Sequence, residues 1–368
     1  MARIFMSMAG EGRGHATRAL ALVEALRGRH QIELFAPGDA YAMLGPRYAQ
    51  TDVELHWIPG INNRYDARRN LDLLHTAKNA ALYFARLPRL VGRLRRAIEA
   101  RRPHLVISDF EPSLPRAAHA SGVPHMTVDH QHFLVVNDLS TLPPKLRFHA
   151  SLMAPVVRAL YGPAPRSRVV SSFYQPPLKS GFDNVVQVGV FLRPQVLAAR
   201  PEAGDGLVVY LRRFAPPQLL RALERAGRPV VVYGLGEQPA RGRVRFRAID
   251  DDRFVSDLAR SAGLVTTAGN QIVGEALHLG KPVLAMPESN NFEQCINAHF
   301  LERSGAGLGI PLERCSERHI RDFVDRLCDF RRMTPSERSN GTTEAVEEIE
   351  RQLASLGASS HWPLERAS

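Results

Sequence analysis

The sequence predicts an α/β protein built from two doubly wound domains in tandem, and three observations carry that expectation. Short apolar, β-branched runs alternate with stretches of helical periodicity along the chain. The alternation breaks at residues 192–206, where two prolines, two glycines and mixed charge read as a linker, and then begins again. The 368 residues suffice for two cores of ordinary size.

The first domain, residues 1–191, opens on the apolar strand Arg3–Met8. Further strands are expected at Gln31–Ala36, Val53–Ile58, His104–Ser108, His125–Val128 and Arg168–Phe173. Nearly continuous apolar runs of this kind suit a parallel sheet covered on both faces. Between the first two lies a helix, Gly14–Arg27, with Ala16, Leu20, Val23 and Leu26 or Arg27 on one face. The second domain, 207–342, repeats the pattern with strands expected at Leu207–Leu211, Pro229–Tyr233, Val244–Arg247, Gly263–Thr267 and Pro282–Met286. Helices are expected near Pro216–Arg225, Phe254–Ala262, Gln271–Leu279, Phe292–Ser304 and Glu317–Phe330. A last helix is expected over Thr343–Leu356, with a frayed tail to residue 368. These are two Rossmann-like domains facing a cleft, and ligands of such sheets sit beyond the carboxyl ends of the strands.

Composition narrows the class. Hydrophobic residues make up 44% and charged residues 23%, which excludes a disordered chain. No window approaches the ~18 apolar residues of a membrane span, and the N-terminal run is too short for a signal peptide. Three cysteines (Cys295, Cys315, Cys328) form neither a disulfide framework nor a metal-binding pattern, which points to a reducing cytoplasm. The net charge of +11, nearly all from arginine, favours an anionic partner: a nucleotide, an anionic lipid surface or a nucleic acid.

The most informative stretch is TAGNQIVGEALHLGKPVLAMPESNNFEQCINA, residues 267–298. A strand ends at Thr267, Ala268-Gly269 turn without bulk, and Asn270 is placed to N-cap the next helix. The free N–H groups and partial positive charge of that helix N-terminus suit an anion. Glu275, one turn in, is placed to accept hydrogen bonds from ligand hydroxyls. Gly280-Lys281-Pro282 stops the helix, and after the strand a polar loop, Pro287–Asn291, leads to Glu293 and Gln294 at a new helix start.

This segment resembles the donor-binding signature of inverting nucleotide-sugar glycosyltransferases of the GT-B fold. These are the UDP-glycosyltransferases and the bacterial N-acetylglucosaminyltransferase of peptidoglycan-precursor synthesis. Gly269, Glu275-Ala276, Gly280, Pro282, Pro287, Gln294 and Asn297-Ala298 stand at the matching places. The resemblance implies that Glu275 binds the ribose hydroxyls and Gln294 those of the donor sugar, with Glu293 where relatives often have Asp. Thr267 stands where many relatives have His or Arg at the diphosphate, and Ile272 replaces a Ser/Thr.

The N-terminal turn, GEGRGHATRAL (residues 10–20), fits the same family through Gly14-His15. The resemblance makes His15 the general base on the acceptor hydroxyl. An ordinary imidazole pKa of ~6.5 suits proton abstraction near neutrality. The alternative is a histidine that merely caps the helix. A base histidine needs an orienting carboxylate. In LVISDFEP, Asp109 stands just past an apolar strand where related plant enzymes carry Asp, and Glu111 competes; either is also placed to cap the helix near Pro112.

Four more stretches bear on function. DHQHF (129–133) carries His130 and His132, read as acceptor-side residues against plain packing, since a metal is not expected in this fold. Arg212-Arg213 stands where relatives have a glycine-rich loop, and a guanidinium clamps a diphosphate well. Ile249 falls in the region that holds the nucleobase in relatives. The basic amphipathic helix Ala85–Arg102 packs on the sheet or docks on anionic lipid, which would suit a lipid-linked acceptor.

The resemblance implies metal-independent hexosyl transfer, with inversion, from a nucleoside diphosphate donor, UDP-linked, to an unidentified hydroxyl acceptor. It implies no bound cofactor and a cytoplasmic enzyme, peripheral at the inner membrane face if the basic helix docks there. Two rivals stand beside it. A nucleotide-sugar 2-epimerase of the same fold normally shows Ser-Gly-Gly before a Glu-Glu pair, where this chain has Ala268-Gly269-Asn270 and a single Glu275. A basic nucleic-acid or membrane binder without catalysis is the other, but the arginines lack interleaved aromatics or a known nucleic-acid motif.

Overall fold

The computed structural model describes residues 1–61, 73–212, 214–288, 291–334 and 340–357, with backbone alone at 73–77. Arg213, residues 289–290 of the polar loop and the expected tail lie outside the described residues.

Strands β1 (Arg3–Met8), β2 (Gln31–Ala36), β3 (Glu54–Trp57), β4 (Leu105–Asp109), β5 (His125–Asp129), β6 (Arg168–Ser171) and β7 (Val185–Val188) form an all-parallel sheet. Its order is β3-β2-β1-β4-β5-β6-β7. A second parallel sheet holds β8 (Leu207–Tyr210), β9 (Val230–Tyr233), β10 (Val244–Arg247), β11 (Gly263–Thr266), β12 (Val283–Ala285) and β13 (Gly307–Gly309). Its order is β10-β9-β8-β11-β12-β13. The two doubly wound α/β domains expected from the alternation are present. Strands β7 and β13, both at sheet edges, were not expected.

Alternate residues of each first-domain strand enter opposite cores. Ile4, Leu34, Ile107 and Val169 face the helices Arg13–Leu26 and Gly38–Tyr48. Phe5, Phe35 and Val106 face Leu73–Arg101 and Ser113–Ala120, and Val170 faces Pro144–Tyr161 on that same side. The basic helix thus begins at Leu73 rather than Ala85 and continues through Pro88.

The last helix, Gly341–Ser355, returns to the first domain. Ala345, Ile349 and Leu353 join the core beside helix 13–26, and Glu350 takes hydrogen bonds from Arg29 (3.0 Å) and His30 (3.0 Å).

In each sheet the connections reverse direction between two central strands, β1 and β4 in the first and β8 and β11 in the second. Loops that diverge at such a point open a crevice at the carboxyl ends of the strands. Among the described residues no helix is long and apolar enough to cross a membrane.

Candidate active site

The glycine turn follows β1 at the first of these switch points. Pairing of Met8 with Asp109 sets the ends of β1 and β4 side by side, and the Ala9 amide donates to the Asp109 carbonyl at 2.8 Å. Gly12 adopts φ 77°, a left-handed turn that a side chain would strain, and helix 13–26 starts at the next residue. His15 therefore sits in the first turn of that helix. Its Nδ1 lies 2.9 Å from Asp109 Oδ1. One turn on, Arg18 donates from Nε to Asp109 Oδ2 and from Nη2 to Oδ1, both at 2.9 Å, and Nη2 also lies 3.0 Å from His15 Nδ1. Asp109 is fully buried. Burial pushes its carboxyl up, but Arg18 and His15 together outweigh that, and its pKa sits below the ordinary carboxylate value.

Phe110 follows with φ 56°, and its ring lies parallel to the imidazole at 6.3 Å between centroids. A positive φ at a bulky residue is a strained backbone held by its surroundings. It turns Glu111 away from His15. Glu111 accepts from the Ser113 amide (2.8 Å), the Ser113 hydroxyl (2.5 Å), the Leu114 amide (2.9 Å) and Tyr83 Oη (3.2 Å). It therefore caps helix 113–120, and Asp109 is the carboxylate at His15.

The second domain presents its side at the end of β11. Ala268 adopts φ 49°, and Asn297 Nδ2 holds its carbonyl at 3.0 Å. Helix Asn270–His278 follows, and here the expectation for Asn270 is corrected. Gly269 occupies the N-cap, and Asn270 is the first helical residue. Its amide instead ties the domains together, with Nδ2 donating to the Ser171 carbonyl (3.1 Å) and Oδ1 accepting from the Phe173 amide (3.3 Å).

Glu275 is buried on this helix and is gripped by a residue that sequence reasoning missed. Arg193, at the start of the linker, donates from Nε to Oε1 (3.1 Å) and from Nη2 to Oε2 (3.0 Å). Gln271 Nε2 adds a bond to Oε1 at 3.1 Å. Arg193 Nη1 is 3.1 Å from Asp251, which also takes Arg13 Nη2 across the cleft at 2.8 Å. The carboxylates hold the Arg193 guanidinium charged against the cost of burial. Only the apolar run Val188–Leu192 just before it hinted that this linker arginine is interior. Arg212 reaches across the cleft as well, donating to Glu11 Oε1 at 2.9 Å.

Gly14, His15, Arg212, Ile249, Thr267, Gly269, Asn270, Glu275, Glu293 and Gln294 line one interdomain cavity of about 240 Å³. Asp109, Ala268, Glu111, His130 and His132 do not. Besides Glu111, His130 is buried, bonded to the Ser171 carbonyl (3.0 Å) and Asn297 Oδ1 (3.2 Å), and burial lowers its pKa. His132 is buried too, bonded to Asp129 Oδ2 at 2.7 Å and stacked on Tyr161 at 3.8 Å. His132 packs inside the first domain, and His130 is buried at the interface with the second, with its Nε2 3.9 Å from Glu293 Oε1. Gln131, between them, lines the cavity and donates to Glu293 at 3.2 Å. Away from the cleft, Glu33, Glu54 and His56 bring potential metal ligands within 4.8 Å of one another. Arg101 pairs with both carboxylates, at 3.1 and 2.6 Å.

The description of glycosyl transferase family 1 matches residues 2–328. The chain belongs to this family. An uncharacterized glycosyltransferase of Methanosarcina acetivorans is 26% identical over 335 residues, 83% of this chain and 82% of its own length. Two solved structures share the fold throughout. The calicheamicin glycosyltransferase CalG4 has a TM-score of 0.65 at 19% identity, covering 97% of this chain and 99% of its own. LpCGTa, solved in complex with UDP, has a TM-score of 0.62 at 20% identity over the same shares. This family-1 glycosyltransferase thus has the GT-B architecture, with the strand-end residues of both domains turned toward one another.

Proposed function

We propose that this glycosyltransferase moves a hexosyl group from a UDP-linked donor to a hydroxyl acceptor with inversion, without a bound metal, and that His15 is the general base. The observation that carries the reading is His15, held by the buried Asp109 and lining the same cavity as Glu275, Glu293 and Gln294. An ionised carboxylate only accepts hydrogen bonds, so the Nδ1 proton belongs in the bond to Asp109 and Nε2 keeps its lone pair. In the proposed step Nε2 takes the acceptor proton as the acceptor oxygen bonds to the anomeric carbon. The bond from that carbon to the diphosphate breaks on the opposite face, which inverts the centre, and the electron pair leaves on UDP.

The leaving diphosphate gathers negative charge. The N-terminus of helix 270–278 and the Arg212 guanidinium, both on the cavity wall, suit that charge. Glu275 keeps lone pairs for the ribose hydroxyls beyond those used by Arg193 and Gln271. A UDP-bound structural neighbour supports this donor class.

The test is a thermal-shift panel of nucleotide sugars, followed by product analysis with and without hydroxyl acceptors. A bound donor raises the midpoint by mass action. Acceptor-dependent release of UDP, with the opposite anomer in the product, is the expected result. Conversion of the nucleotide sugar to its 2-epimer without acceptor would favour the epimerase reading, and no response to any nucleotide sugar would refute both.

A further inference from the structure

Helix 73–101 leaves a charged column facing solvent. Tyr83, Leu87, Leu90, Leu94 and Ile98 are buried against the sheet and helix 113–120. Beside that stripe run Arg86, Arg89, Arg93 and Arg96, at i, i+3, i+7 and i+10, over about 15 Å of helix. All four are exposed, and none is ion-paired with a described residue. Arg95, off this column, does find a partner in Glu99 at 3.5 Å. The column forms one wall of a cavity of about 800 Å³ whose other wall includes Trp57, Pro59 and Gly60.

Apolar groups surround the charges. Trp57 is 56% exposed and Leu82 46% exposed, and Phe84 is also exposed. Helix 144–161 lies in the same layer, joined to helix 113–120 through Arg116, which donates to the Ala159 and Leu160 carbonyls at 2.8 Å. That helix exposes Phe148, Leu152 and Val156 at i, i+4 and i+8. Single exposed apolar residues are ordinary, whereas aligned ones in the same layer as four cations without a partner among the described residues mark an interaction surface.

We propose that this outer face of the first domain docks on an anionic lipid bilayer. Lipid phosphates neutralise the arginine column, while Trp57, Leu82 and Phe84, with the Phe148 column, enter the interfacial layer. Charge complementarity selects an anionic surface, and the apolar groups select lipid over nucleic acid, whose phosphate backbone offers them no partner. The proposal stands on these two helices and is independent of the transfer chemistry.

The test is sedimentation of the full chain with phosphatidylcholine vesicles, with and without phosphatidylglycerol. Binding is expected only where phosphatidylglycerol is present and should weaken with added salt. Arg89→Gln and Arg93→Gln should each lower partitioning about fivefold, the equivalent of about 1 kcal/mol per basic residue. Both side chains are exposed, so an unchanged thermal midpoint shows that the fold is intact. Phe148→Ser with Leu152→Ser should weaken binding at every salt concentration, and no effect would remove helix 144–161 from the docking face. Equal binding to neutral vesicles, full binding by the arginine variants, or salt-sensitive binding to duplex nucleic acid with vesicles ignored would overturn the proposal.

Discussion

Arg18 and His15 share one carboxylate: Arg18 spans both oxygens of Asp109, and His15 Nδ1 bonds one of them at 2.9 Å. The Arg18 guanidinium is thus the leading charge that holds the buried Asp109 carboxyl below its ordinary pKa. Asp129 and Tyr161 also lie within electrostatic reach of Arg18, and the Phe110 ring lies alongside His15.

Arg18→Gln should therefore shift the acid limb of the pH–activity profile upward. Removing Arg18 takes away the leading charge that holds the Asp109 carboxyl low, so that carboxyl takes up a proton at higher pH. A neighbouring charge at this distance is worth on the order of 1–3 pH units. The profile of kcat/KM is the readout, and an unmoved limb would separate Arg18 from the base.

His15→Ala should cut transfer by about 10²–10⁴-fold, the usual worth of a positioned base. The UDP dissociation constant, measured by calorimetry, should barely change. A parallel loss of UDP affinity would move His15 from the acceptor side to the donor side.

Glu275→Ala should lower stability by up to about 3–5 kcal/mol, because it leaves the buried Arg193 guanidinium only Asp251, which Arg13 shares. Adding Arg193→Met should recover a large part of that loss. Urea midpoints across the double-mutant cycle measure the coupling, and additive effects would show that the pair is not a unit. In the stable double variant, donor affinity should still be low if Glu275 binds ribose.

Gly14→Ala should stabilise the fold and impair turnover together. A Cβ at Gly14 meets nothing within 4 Å, and alanine in a helix gains about 0.5–1 kcal/mol over glycine. The added methyl projects at the wall of the cavity, however. A raised thermal midpoint with a raised KM is the expected pair of results, and unchanged kinetics would show that no ligand approaches that backbone.

What the sequence made legible was local chemistry. The glycine turn with His15, the strand end with Asp109 and the segment around Glu275 each declare themselves within ten or so residues. Arg18 also had a signal, since i and i+3 on one helix face meet. Arg193 had almost none, because a salt bridge from the linker to a helix 82 positions on is a tertiary fact. Strand β13 is Gly-Leu-Gly, with little β propensity of its own, and exists because β12 offers it a pairing edge. His130 and His132 drew attention as paired histidines, but Asp129 and Asn297 satisfy them inside the fold.

The return of helix 341–355 to the first domain has a consequence for how the chain is made. Its Ala345, Ile349 and Leu353 complete a core that otherwise comes from the opening half of the polypeptide. During synthesis that half emerges well before helix 341–355, and its apolar face stays uncovered until that helix follows. A chain cut just before residue 341 would keep the second sheet and strip the first, so damage to this late helix should be felt in the domain made earlier.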